Sequence, residues 1–128
     1  MINFQVYQLL HITSIILIFT ALGARIAEAL LTKNPKKSPL KRWIALAHGV
    51  GMLMSLVGGF GMLARLGVAF PFPLWIWVKL IVWLALGGLL AVIPRNPKHA
   101  KKFLYVLIFC AALAAYMAIF KLGQPRVM

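Results

Sequence analysis

Residues 74–90 read LWIWVKLIVWLALGGLL, with one lysine, Lys79, among aliphatic and tryptophan side chains and no acidic residue. A run of this length approaches the ~20 residues that cross a hydrocarbon core of roughly 30 Å at 1.5 Å per residue. The segment therefore reads as a membrane-spanning helix, and Lys79 as a charge placed inside it. Such a charge costs about 2.5–3.5 kcal/mol at the helix centre even on the lenient insertion scale. The amine needs a partner, a route to water or a use.

Working outward, the apolar pattern gives four spans at about 4–24, 43–66, 74–93 and 103–120. The chain has 128 residues, 63% of them hydrophobic, where a soluble domain of this size would expose far more charge. Short loops leave no room for a soluble domain. The expectation is a single transmembrane domain over residues 1–128, all-α, an integral membrane four-helix bundle with antiparallel up-down topology. The first span, opening MINFQVYQLL, lacks a basic n-region and exceeds an h-region in length, so it is expected to be retained. The single cysteine, Cys110, lies within a span and excludes an intrachain disulfide.

Charge sets the orientation. One loop carries Lys33, Lys36, Lys37, Lys41 and Arg42, another Arg95, Lys98, Lys101 and Lys102; the opposite side has Arg65, Lys121 and Arg126. By the positive-inside rule both basic loops are cytoplasmic and both termini lie outside, on the periplasmic side of a bacterial cytoplasmic membrane. The net charge of +13 sits in short loops flanking spans. Topology and contact with anionic lipid headgroups account for it, and nucleic acid is not an expected partner. Prolines mark the connections: Pro35 and Pro39, Pro71 and Pro73, and Pro94 with Pro97 in the second basic loop.

Two stripes of polar and small residues run along the first two spans. Tyr7, His11, Ser14, Ile18, Ala21, Arg25 and Glu28 alternate spacings of four and three and share one helical face, which points into a bundle. Glu28 is the one acidic residue of the chain, and Arg25 stands three positions before it, as a structural ion pair requires. In the second span His48, Gly51, Ser55, Gly58, Gly59, Met62 and Arg65 form a stripe whose small residues admit another helix or a flat ligand. Ala111 with Ala115, and Ala114 with Ala118, give small-xxx-small pairs in the fourth span that read as packing.

Depth sorts these residues into layers. At 1.5 Å per residue from the outer ends, His11 lies about 10 Å deep, Lys79 about 8 Å, Tyr116 about 6 Å, and Gly58 and Gly59 about 10–12 Å. His48 belongs to the inner layer with Arg25, Glu28 and Arg42, on the order of 12 Å from the level of His11. Imidazole inside a helical bundle is a good iron ligand, and small bundles host b-type haem. The level difference disfavours bis-histidine ligation by His11 and His48. Three histidines in all, with His99 in a loop, cap the count at one haem unless unusual ligands are used.

Lys79 near His11 leaves several roles open. A neutral amine can ligate a metal or act as a base, and an amine can hydrogen-bond a ligand carboxylate. Alternatively its stem lies along Trp75 and the ammonium snorkels to the interface. The alternative for His11 is a hydrogen bond to Tyr116 or Ser14. No paired carboxylates, cysteine–histidine zinc spacing or phosphate-cradling glycine loop is evident. A single acid cannot build a calcium site or a relay of carboxylates, and neither internal repeats nor broken helices indicate an ion-coupled transporter.

The segments LLHITSIILIFTALGARIAEAL, HGVGMLMSLVGGFGML and PLWIWVKLIVWLALG resemble the HemJ-type protoporphyrinogen oxidase group and the related SirB and CopD-like four-helix membrane families. The resemblance implies haem binding and oxidation of a porphyrinogen ring, with His11 as the early histidine, Lys79 as the lysine of the third span, and Trp75 as the tryptophan before it. Two features of that pattern are absent. LALGGLL stands where a histidine would follow the lysine, and the last span has no acidic, asparagine-containing segment. The resemblance thus bears more directly on fold and haem binding than on the porphyrinogen reaction.

The expected function is binding of one b-type haem or porphyrin in redox or haem metabolism. His11 would ligate the haem iron, Lys79 would be the second ligand or a macrocycle contact, and Tyr116, Gly58 and Gly59 would line the site. As catalytic groups His11 and Lys79 would serve a membrane oxidoreductase acting on a porphyrin or quinone. The competing expectation is a non-enzymatic membrane subunit or assembly factor, as a homo-oligomer or within a larger complex.

Overall fold

The computed structural model describes residues 2–121. They form four α-helices, α1 (Phe4–Leu31), α2 (Lys41–Arg65), α3 (Leu74–Arg95) and α4 (Ala100–Phe120), with short 3-10 turns at Pro35–Lys37 and Pro97–His99. There is no strand among the described residues. All four helices are long and apolar enough to cross a membrane. Arg126, one of the charges assigned to the outer side, lies outside the described residues.

Local chemistry sets the helix ends. The Asn3 side chain accepts from the Val6 amide at 3.0 Å and caps the start of α1. Gly67, at φ 70°, takes the left-handed position after α2, where a side chain would be strained, and the Val68 amide reaches back to the Leu63 carbonyl at 3.0 Å. α1 continues about two turns beyond residue 24, the end of the apolar run, because Arg25 and Glu28 stay on its buried stripe. Pro94 differs from its expected place in the loop: it is buried in the last turn of α3. A proline there forgoes one amide hydrogen bond near a helix end. Asn96 closes the end, its side-chain amide donating to the Val92 carbonyl at 3.0 Å and its main-chain amide to Ile93 at 3.2 Å.

α1 is the hub and packs against each of the other helices, most extensively α2. The α1–α2 contact is close because glycine removes the side chains between them. A Cβ at Gly51 would stand 2.8 Å from Ile18 Cγ1 and 3.1 Å from the Ser14 carbonyl oxygen; one at Gly58 would stand 2.8 Å from the His11 amide nitrogen and 2.9 Å from the Tyr7 carbonyl oxygen. Pairs 14–51 and 11–58 run in opposite senses, so these two helices are antiparallel. Ile18, Leu22 and Ile26 of α1 then meet Val82, Leu86 and Ile93 of α3 and Leu107 and Cys110 of α4 in the main core. A second cluster, Leu63, Trp75, Ile76 and Met117, closes the end near the α2–α3 turn.

Large apolar side chains cover the outside, among them Leu9, Ile16, Leu53, Ile81, Leu84, Ile108 and Ile119. A surface this apolar suits hydrocarbon and not water. Aromatic residues gather at both ends. Phe60, Phe70, Phe72 and Trp77 form edge and tilted contacts around the α2–α3 turn, while exposed Trp43 and Tyr105 stand toward the basic-loop end. Such belts mark the two interfaces of a membrane protein.

Candidate functional site

His11 faces α2 from the first third of α1. Its Nδ1 lies 2.8 Å from the Ser55 carbonyl oxygen. A carbonyl can only accept, so Nδ1 carries the proton and Nε2 keeps its lone pair in the neutral ring. Nε2 is buried and has no hydrogen-bond partner. An imidazole with one nitrogen fixed by a main-chain carbonyl and the other free is the arrangement found at metal-ligating histidines.

The Ser55 segment is itself held in place. The Ser55 hydroxyl donates to the Met52 carbonyl at 2.8 Å, and the Trp83 indole N–H lies 3.1 Å from both that carbonyl and the Ser55 hydroxyl. Trp83 thereby ties α3 to the turn of α2 that orients His11. The Ser14 hydroxyl does not reach the imidazole; it donates to the main-chain oxygen of His11 at 2.6 Å. A Cβ at Gly59 would come 3.4 Å from His11 Cε1, so the glycine leaves the ring its room. Gly58 meets the α1 main chain instead, and its clearance is filled by that helix.

Lys79 is half-buried, and its Nζ lies 5.8 Å from the centroid of the Trp75 ring, within cation–π range. Trp75 is one turn nearer the α2–α3 turn, so the amine leans toward that end of the bundle. Lys121, just past α4, places its own Nζ 5.8 Å from the same Trp75 centroid. Tyr116 turns elsewhere: it is 46% exposed, with its ring 4.5 Å from that of Phe120. α4 presents Met117 to Trp75 in its place.

The other histidine of the helices sits apart. His48 Nε2 donates to the Leu86 carbonyl at 3.0 Å, joining α2 to α3 about two turns along α2 from Ser55, or roughly 10 Å. At the basic-loop end the Arg25 guanidinium donates to Glu28 at 2.6 Å, and both side chains are almost fully buried. The second Glu28 carboxylate oxygen accepts from the Ser38 hydroxyl, and its main-chain oxygen from the Thr32 hydroxyl at 2.7 Å. The chain's one carboxylate side chain is thus engaged in holding the first loop to α1.

Sequence reasoning missed Ser55 as the partner of His11, and with it Trp83 and Lys121. Trp83 left a signal: Trp75, Lys79 and Trp83 repeat at intervals of four and share one face of α3. The partner of His11 left none, because a main-chain carbonyl has no letter in a sequence. Among the described residues no group of three or more histidine, cysteine, aspartate or glutamate side chains could hold a metal ion. Comparison with protein-family models, curated proteins and solved structures finds no match, which leaves the residues themselves to carry the functional reading.

Proposed function

We propose that this chain is an integral membrane protein that binds one b-type haem or a related porphyrin through His11, in a redox or haem-metabolism role. The supporting observation is the buried Nε2 of His11, left without a partner while Nδ1 donates to Ser55. A buried polar atom with no hydrogen bond costs about 1–3 kcal/mol, and a metal bond to that lone pair removes the cost. Lys79 supplies the second ligand or a contact to the macrocycle, and Gly59 leaves room beside the imidazole. In this reading the helices form an antiparallel up-down bundle in a bacterial cytoplasmic membrane, with both basic loops cytoplasmic and the His11 layer in the outer half. The resemblance to the HemJ-type group selects the same two residues, His11 and Lys79.

The test is the visible spectrum of the protein purified in detergent, before and after haem addition. A Soret band is expected that His11→Ala abolishes and Lys79→Met weakens or shifts. A band unchanged in both variants would remove this site. A wild-type protein that stays colourless after supplementation would turn the reading to a non-enzymatic membrane subunit or assembly factor.

A further inference from the structure

Two ammonium groups share one indole at the end of the bundle near the α2–α3 turn. Lys79 Nζ and Lys121 Nζ each lie 5.8 Å from the Trp75 centroid. No carboxylate side chain can balance them, because Glu28 is the chain's one acidic residue and is held by Arg25 and Ser38 at the other end. The N-terminus of α3 lies at the same end, starting after Pro73 without a side-chain cap and without an acid in its first turn. Its dipole adds positive potential to that of the two amines. Trp75 is buried against Met117 and Leu63, which gives the amines a fixed platform. The Lys121 amide bonds to the Met117 carbonyl at 3.0 Å, ending α4 beside that platform.

We propose that Lys79 and Lys121 form an oxyanion clamp over Trp75, which takes the carboxylate or phosphate of an amphipathic, membrane-borne ligand. Two sources share this chemistry: a propionate of the tetrapyrrole, which rests on the haem reading above, and the phosphate of an anionic phospholipid. Charge-assisted hydrogen bonds of this kind correspond to an affinity change of about tenfold or more when removed.

The experiment has two arms, each run on wild type, Lys79→Gln/Lys121→Gln and Lys79→Arg/Lys121→Arg in detergent. Haem b and its propionate dimethyl ester are titrated by the Soret band, and phosphatidylglycerol and phosphatidylcholine adducts are counted by native mass spectrometry. For a propionate, the glutamine pair binds haem about tenfold or more weakly, the ester binds wild type and the glutamine pair alike, and the arginine pair retains haem. For a phospholipid, the glutamine pair loses phosphatidylglycerol adducts that wild type and the arginine pair keep, with phosphatidylcholine unchanged. A glutamine pair equal to wild type in both arms overturns the clamp. A wild type that takes up neither haem nor ester overturns the haem reading alone, and the lipid arm then decides the clamp by itself.

Discussion

At the scale of single residues, the proposed ligation turns on how one imidazole is held. Nδ1 of His11 is fixed by Ser55, and the turn containing Ser55 is fixed by the Trp83 indole. Trp83→Phe keeps most of the packing and removes the donor to Met52 and Ser55. It is expected to lower stability by about 0.5–1.5 kcal/mol, the net worth of a typical hydrogen bond, read as a lower thermal midpoint in detergent. An unchanged midpoint would mean that Trp83 does not brace this turn. The stripe containing His11 was legible because the residues repeat at helical spacing in an otherwise apolar span. Its hydrogen-bond partner was not, since any carbonyl of α2 at that level could have served.

Among the helices, the α1–α2 pair carries the closest approach, and its glycines separate into two kinds. At Gly58 a Cβ would lie 2.8–3.0 Å from the α1 main chain, which cannot give way as a side-chain tip can. Gly58→Ala is therefore expected to destabilise the protein by about 1–3 kcal/mol, the usual cost of overpacking. At Gly88, on the exposed side of α3, a Cβ meets nothing within 4 Å. Gly88→Ala is expected to be neutral or to stabilise by about 0.5–1 kcal/mol through helix propensity. Thermal unfolding of the two variants side by side checks both, and equal effects would contradict the packing described. The face of α4 was harder to read than that of α1 or α2. Apart from the lysines of its first turn, its phenols are Tyr105 and Tyr116, and depth alone favoured Tyr116, while the fold turns its neighbour Met117 inward.

For the molecule as a whole, apolar length and proline positions were enough to give four helices, because each span declares itself over some twenty residues. What joins them is less visible. The buried pair Arg25–Glu28 fastens the first basic loop to α1 through Ser38 and Thr32. Glu28→Ala leaves a buried guanidinium without its counter-charge and is expected to cost about 3–5 kcal/mol. Arg25→Leu/Glu28→Leu removes both charges and is expected to recover much of that loss. A double variant less stable than Glu28→Ala in the same detergent melt would show that the pair does more than balance charge.

The proposed haem site stands or falls on the free nitrogen of His11 as the ligand to iron. The most direct measurement is the Soret spectrum of haem-loaded His11→Gly with and without added imidazole. The band is expected to be lost or shifted in the variant and restored toward the wild-type position by free imidazole occupying the vacated ligand site. A variant with the wild-type spectrum before imidazole is added would contradict it.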